Sequence, residues 1–219
     1  MKSPGLFFRS LFCCLPLLYL GWIWHSLPAI VPTHFDSLGK ANSFSPRWSL
    51  WLINGGMAGL AIGIYLLFSN LHRIDPKRSG TAPADSFIRL GDGMVLFLTV
   101  LNFIMILSFS GHEIMMSRLV FPFLGLLFAF LGNVLFSIKP NYFAGIRVPW
   151  TLADDNNWRA THRVAGIVWF IAGLLLLAGS LLMQQRYVQM LLFALLVPMI
   201  VIPVTYSFWY FRHSALNKN

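Results

Sequence analysis

The sequence predicts an all-α membrane protein, a polytopic bundle of six transmembrane helices with both termini in the cytoplasm. Three observations support this fold class. Only 11% of the 219 residues are charged and 57% are hydrophobic, whereas a soluble domain has about 25% charged residues. Six apolar segments approach the roughly 20 residues that a helix needs to cross the hydrocarbon core. Basic residues are distributed unequally between the loops on the two sides.

The six spans are predicted as helices because only a helix pairs every backbone group within one segment. They cover about Leu6–Trp24, Trp48–Asn70, Met94–Ser110, Ile114–Ser137, Ala160–Met183 and Val188–Phe211. Twelve of the 16 Lys and Arg residues fall on the side of the termini, which therefore faces the cytoplasm. This orientation and contact with anionic lipid explain the net charge of +9, so no direct nucleic-acid binding is predicted.

Polar residues within the spans are interpreted first as packing features. Asn54, Asn102 and Asn133 are expected to form hydrogen bonds between helices, with a polar pathway as the alternative. None of the predicted spans has an acidic residue, a lysine or an arginine near its middle. This argues against an ion-coupled transporter, which usually needs a buried titratable group.

Small residues form a stripe on the second span. Gly55, Gly59 and Gly63 recur every four residues, which predicts close packing against another helix of the bundle, with a dimer interface as the alternative. Cys13 and Cys14 are adjacent and point in different directions on a helix, so neither a disulfide nor a metal site is predicted.

The loop of residues 26–47 is predicted to face outward and to contain no continuous helix, because it holds three prolines. We expect an ordered cap over the bundle, with Phe35 and Phe44 packed into it and Gly39 in a turn. His34 and Asp36 alone provide too few ligands for a metal. The candidate residues of this loop are Pro32, His34, Phe35 and Gly39.

The segment Asn141–Arg163, here called the polar block, reads NYFAGIRVPWTLADDNNWRATHR between two apolar runs. Gly145 and Pro149 predict turns on either side of Arg147. A helix is predicted to open at Thr151 in the pattern T-x-x-D. It would lie in the cytoplasmic interface as an amphipathic helix and run into the fifth span.

Two faces are predicted on this helix. Trp158, Thr161 and His162 share one face, and Arg159 and Arg163 form a basic edge suited to a lipid phosphate. A hydrogen bond from His162 to a neighbouring loop is expected. A general base is the alternative, for which the sequence places no partner.

The segments NYFAGIRVPWTL and WRATHRVAG resemble the signature of the SdpI family of bacterial membrane proteins. The outward stretch PAIVPTHFDSLGK resembles the small N-terminal domain of unknown function that accompanies it. The resemblance implies an N-terminal membrane domain of residues 1–93 and an SdpI-like four-span domain of residues 94–219 with a cytoplasmic motif at 139–163. The family positions matched here are Asn141, Gly145, Arg147, Pro149, Trp150, Thr151, Trp158, Thr161, His162 and Gly166.

The resemblance also implies a function. A multi-pass protein of the bacterial cytoplasmic membrane would protect the cell from a secreted, membrane-active peptide toxin and would hold a transcriptional repressor at the membrane. Membrane lipids, the toxin and the repressor are the implied partners, with no cofactor and no catalytic residue. The chain has Ala153, Asp154 and Asp155 where relatives usually carry Ser and Glu, so an acidic group is kept but shortened.

Two alternatives belong to other functional classes. In an enzyme that handles lipid or phosphate groups, Arg147, Arg159 and Arg163 would bind a phosphate while His162 acts on it, so all must meet at one cleft. A small-solute transporter predicts a polar cavity that reaches the middle of the membrane near the span asparagines.

Overall fold

A computed structural model describes residues 4–36, 41–77, 85–109 and 116–216. Its helices are α1 (Pro4–Ile23), α2 (Ser49–Ser69), α3 (Leu71–Ile74), α4 (Asp85–Phe109), α5 (Met116–Ser137), α6 (Pro149–Ala153), α7 (Asp155–Leu182) and α8 (Gln185–Leu216). Six of these, all but α3 and α6, are long and apolar enough to cross a membrane. The predicted all-α bundle of six membrane-spanning helices is confirmed.

The loop of residues 26–47 contains a β-hairpin, which was not predicted from the sequence. Strand β1 (Ile30–Phe35) pairs with β2 (Ala41–Pro46) in an antiparallel arrangement. Phe35 stacks on Phe109 of α4 with ring centroids 6.2 Å apart, as expected of a cap. The expectation for Phe44 was wrong, because its side chain is 61% exposed.

The candidate residues of the hairpin have separate positions. Pro32 faces Phe44 across the strand pair. His34 Nδ1 shares a hydrogen bond of 2.6 Å with Asn42 Oδ1 on the opposite strand. Gly39 lies outside the described residues, as does the turn before α5.

The long helices form two packing groups. In the first, α1 and α2 pack on α4 around a cluster that includes Ala58, Ala61 and Val95. In the second, α5 and α8 pack on α7 around Leu176 and Met199. Contacts between α4 and α5 connect the two groups.

Helices α5 and α7 pack most extensively on each other, through four glycines here called the glycine seam: Gly125, Gly132, Gly166 and Gly173. A Cβ added at Gly125 would lie 2.7 Å from the backbone nitrogen of Leu177, and one added at Gly132 would overlap the backbone nitrogen of Phe170. The two backbones are therefore in direct contact, and no side chain fits between them.

The glycine stripe on α2 does not pack against the bundle. A Cβ added at Gly55, Gly59 or Gly63 would have no heavy atom within 4 Å among the described residues. The prediction of an internal packing face was therefore wrong, since this face of α2 is open.

A hydrogen bond between helices is confirmed for Asn102, whose Nδ2 donates to the backbone oxygen of Asn54 at 3.1 Å. The Asn54 side chain donates to the Leu50 carbonyl within α2 at 2.7 Å. Asn133 instead lies exposed on α5, so the prediction was wrong for this residue.

An ion pair near the helix ends was also missed. Arg9 of α1 donates to both carboxylate oxygens of Asp92 of α4, at 2.5 and 2.9 Å. Its guanidinium carbon lies 4.6 Å from the centroid of the Tyr65 ring on α2. The predicted span begins at Met94, which places Asp92 in the preceding loop, whereas α4 begins at Asp85. The ion pair thus joins all three helices of the first group.

We expect Gly132→Ala to destabilise the protein by about 1–3 kcal/mol, because the added methyl group overlaps backbone atoms of α7. The measurement is thermal unfolding of purified protein in detergent. Gly59→Ala is the matched control and should be neutral or stabilising, since alanine favours a helix over glycine by roughly 0.5–1 kcal/mol. Equal unfolding midpoints for the two variants would contradict the close backbone contact of α5 and α7 at Gly132.

Candidate functional site

The turn that opens the polar block is organised by Asn141. Its buried side chain donates from Nδ2 to the carbonyls of Lys139 and Ala144, both at 2.9 Å. Its Oδ1 accepts from the backbone N–H groups of Phe143 and Ala144, at 2.8 and 2.6 Å. Both ends of the side-chain amide are thus used within the turn, and asparagine has the donors and acceptors that this position requires.

Gly145 and His162 form the contact between this turn and α7. Gly145 has a φ of +109°, and a Cβ at this position would overlap His162 Nε2. Nε2 accepts the backbone N–H of Ile146 at 3.0 Å, and Nδ1 lies 2.8 Å from the carbonyl of Trp158. These partners require a neutral imidazole with its proton on Nδ1. His162 is therefore bonded to a neighbouring loop, as expected.

The short helix α6 begins two residues before the predicted position. Pro149 occupies its first turn, where no N–H is needed. The buried hydroxyl of Thr151 accepts the N–H of Val148 at 3.1 Å and lies 2.8 Å from the carbonyl of Ile146. Thr151 therefore stabilises the first turn from within rather than opening the helix.

The predicted continuous helix is interrupted at Asp154. Its Oδ1 accepts the N–H of Asn156 at 2.8 Å and caps the N-terminus of α7. The interruption leaves α6 free to lie against α8. Trp150 of α6 donates to Ser207 Oγ at 2.8 Å, and its ring centroid is 5.3 Å from that of Phe208.

The predicted shared face of α7 is confirmed, and it is buried. Trp158 donates to the carbonyl of Ile138 at 3.0 Å and stacks on His162 with ring centroids 4.0 Å apart. Thr161 donates to Asn157 Oδ1 at 2.8 Å, and Asn157 Nδ2 donates to the carbonyl of Ser207 at 3.0 Å. Gly166, one turn further along, lies in the glycine seam. This face holds the start of α7 to the segment of residues 138–146 and to α8.

The three arginines of the polar block are exposed and do not meet His162. Arg147 donates to the carbonyl of Tyr142 at 2.6 Å. Arg159 and Arg163 line a cleft beside α8 that neither Arg147 nor His162 lines. His162 is 1% exposed. The common cleft that a phosphate-handling enzyme requires is therefore not formed by these residues.

The first half of the chain contributes two residues that the sequence analysis missed. Asp75, which is buried, accepts the N–H of Lys77 at 2.9 Å and the N–H of Tyr142 at 3.1 Å. Lys77 donates to the carbonyl of Leu152 at 2.5 Å and lies 3.7 Å from Asp155. Residues 75–77 thus connect the end of α3 to both halves of the polar block. The available signal was the Asp-Pro pair at 75–76, which is followed directly by Lys77 and Arg78.

An apolar cavity of about 240 Å³ lies under the polar block. Its walls include Leu90 of α4, Leu135 of α5 and Trp169 of α7, and Gly145 and Ile146 cover it. Within the described part of the chain, no group of three His, Cys, Asp or Glu side chains is arranged to hold a metal ion.

Comparisons with known proteins confirm the family resemblance. Residues 137–207 match the SdpI/YfhL protein family, and residues 11–58 match a domain of unknown function (DUF1648). Immunity protein SdpI of Bacillus subtilis (strain 168) is 21% identical over 199 residues, which cover 91% of this chain and 92% of that protein. No solved structure matches the chain. The chain is therefore a multi-pass membrane protein that is similar over residues 137–207 to the SdpI/YfhL family and along most of its length to an immunity protein.

We expect Gly145→Ala to displace the turn, because a methyl group at positive φ costs about 1–2 kcal/mol and also overlaps the His162 ring. The measurement is the unfolding midpoint in detergent together with hydrogen exchange at the Ile146 amide, which should accelerate. In Gly145→Ala/His162→Ala the overlap is absent, so the total loss should be smaller than the sum of the single losses. Additive losses would show that the ring contact is unimportant.

Asp75→Asn should release the polar block from the first half of the chain. The asparagine oxygen can accept from one of the two backbone N–H groups, but the side-chain NH2 group then faces the other. The hydrogen bond lost in this way costs about 1–3 kcal/mol locally. Hydrogen exchange of the peptide spanning residues 139–147 should accelerate. Asp154→Asn is the control, because asparagine caps a helix as well as aspartate does. Unchanged exchange in Asp75→Asn would refute the proposed connection.

Proposed function

We propose that this protein is an immunity protein of the bacterial cytoplasmic membrane, which protects the cell by binding a secreted, membrane-active peptide. In the same proposal the polar block faces the cytoplasm and holds a transcriptional repressor at the membrane. The relationship to an immunity protein over 91% of the chain supports the first part. The excess of basic residues on the side of the polar block supports the orientation.

The observation that carries this proposal is that the buried and the exposed side chains of the polar block have different roles. Its buried polar side chains are used in internal hydrogen bonds, as described for Asn141, Thr151 and His162. Its exposed side chains form a cationic and aromatic surface that includes Arg147, Tyr142 (43% exposed) and Phe143 (38% exposed). Such a rigid surface suits recognition of another protein, since aromatic residues and arginine dominate binding interfaces.

The opposite end of the bundle offers a surface for the peptide. Ile30, Phe44 and Trp48 are 63%, 61% and 57% exposed around the hairpin. An exposed apolar patch is typical of a binding surface, and here it matches a peptide that partitions into membranes. Peptide held there would be kept from acting on the bilayer.

Helix α4 offers a route between the two ends. Phe109 near its C-terminus stacks on Phe35 of the hairpin. Phe87 near its N-terminus belongs to the cluster that contains Trp158 and Ile138 beneath the polar block. In the proposal, a peptide that shifts the hairpin biases the position of α4 and, through it, the surface that holds the repressor.

The two alternatives have less support. A phosphate-handling enzyme lacks a common cleft for His162 and the arginines, and both ring nitrogens of His162 are engaged. For a transporter, Asn102 is used in a bond between helices and Asn133 lies exposed, while the cavity under the polar block is apolar.

The immunity proposal is tested by the membrane potential of cells exposed to membrane-active peptides, with and without the protein. We expect cells that express the wild-type chain to keep their potential at peptide concentrations that depolarise control cells. No protection against any peptide of a broad panel, at verified membrane expression, would refute the proposal.

The role of the polar block is tested with Arg147→Ala in the same assay, and protection should be lost at equal expression. Arg147 fixes the turn through the Tyr142 carbonyl and also supplies charge to the exposed surface. Arg212→Ala is the matched control, because Arg212 is exposed on α8 outside the polar block. Similar mild effects of both substitutions would remove the special role of the block.

A further inference from the structure

A cleft between the start of α7 and the end of α8 has a chemistry that the immunity function does not use. It encloses about 350 Å³ and is lined by Arg159 and Arg163 on one side and by Tyr206 and Tyr210 on the other. We propose that this cleft binds a phosphate-bearing anion and that its occupant is the head group of an anionic phospholipid. The inference is independent of any toxin or regulator.

The charge of the cleft is uncompensated. Arg159 and Arg163 lie one helical turn apart, a spacing at which like charges destabilise a helix. Arg159 donates from one nitrogen to Asn156 Oδ1 at 2.8 Å, which leaves its other donors available. Arg163 has no hydrogen bond or ion pair to another described residue. Two adjacent guanidinium groups without a carboxylate are a favourable setting for an anion.

The acidic residues nearest in sequence are used elsewhere. Asp154 caps the N-terminus of α7, and Asp155 is paired with Lys77 at 3.7 Å. Neither carboxylate lines the cleft. The electrostatic field inside the cleft is therefore set by the two arginines and by the positive end of α7.

The remaining walls suit a phospholipid better than a free ion. Ala160 and Val164 add apolar surface next to the arginines. Tyr206 and Tyr210 lie one turn apart with ring centroids separated by 6.5 Å, and tyrosine is typical of the depth at which head groups lie. A guanidinium binds phosphate oxygens in a two-pronged manner, and the apolar walls would contact the glycerol and the first acyl carbons. The volume lies within the range of ligand sites, roughly 300–1,000 Å³.

The test is native mass spectrometry of the purified full chain in neutral detergent, titrated with phosphatidylglycerol, with diacylglycerol and with inorganic phosphate. We expect phosphatidylglycerol to be retained and diacylglycerol, which lacks the phosphate, to be lost. Arg159→Gln/Arg163→Gln should weaken phosphatidylglycerol binding by about tenfold or more, since two charge-assisted interactions are removed. Arg73→Gln/Arg212→Gln is the matched control, which removes two exposed positive charges outside the cleft. The control should bind as the wild type does.

Each outcome decides the proposal. Equal binding by the wild type and the cleft variant would overturn it, and so would an equal loss in the cleft variant and the control, which would indicate general surface charge. Displacement of the lipid by inorganic phosphate at comparable concentration would overturn the lipid assignment and make free phosphate the occupant. If the double variant does not fold, the single variant Arg163→Glu at an exposed position replaces it, and unchanged binding in that variant would refute the site.

Discussion

The polar block depends on one contact, in which the turn at Gly145 lies on the buried imidazole of His162. The ring accepts the Ile146 N–H from the turn and is bonded to the Trp158 carbonyl of its own helix. A protonated ring would lose the acceptor, and a Cβ at position 145 would occupy the space of the ring. The glycine, the neutral histidine and the tryptophan stacked on it are therefore interdependent, because a buried N–H without a partner costs about 1–3 kcal/mol.

Around this contact, close packing of helix backbones and side-chain hydrogen bonds from distant segments both hold the polar block in place. The glycine seam brings the backbones of α5 and α7 together below the polar block, so the chain between these helices must lie over the bundle end. Asp75 and Lys77, in the segment that follows α3, bind this chain from the first half of the protein. Trp150 fixes it to α8. The exposed arginines are thus presented by a frame that three separate parts of the protein hold in place.

Much of the fold could be predicted from the sequence, because length and hydropathy determine which segments cross a membrane. The shared face of Trp158, Thr161 and His162 also followed from helical spacing, which is a local property. Apart from the local break of the helix at Asp154, the main failures concern pairings between distant segments. Glycines recur every four residues on α2 and seven residues apart on α5, and only the second set finds a partner, since lipid and helix surfaces are equally apolar. Asp75 and Asp92 acquire their roles from Tyr142 and Arg9, each more than sixty positions away. The predicted orientation in the membrane and the predicted division into domains remain predictions.

The glycine seam also has a consequence for biogenesis. When α5 leaves the ribosome, Gly125 and Gly132 have no partner until the chain has grown as far as Gly173. At ordinary rates of synthesis, about 5–20 residues per second, this interval lasts on the order of a few seconds. During that time α5 presents a notched surface to lipid or to the insertion machinery. Assembly of the second packing group is therefore ordered by translation, and the polar block can close only after α7 has been inserted.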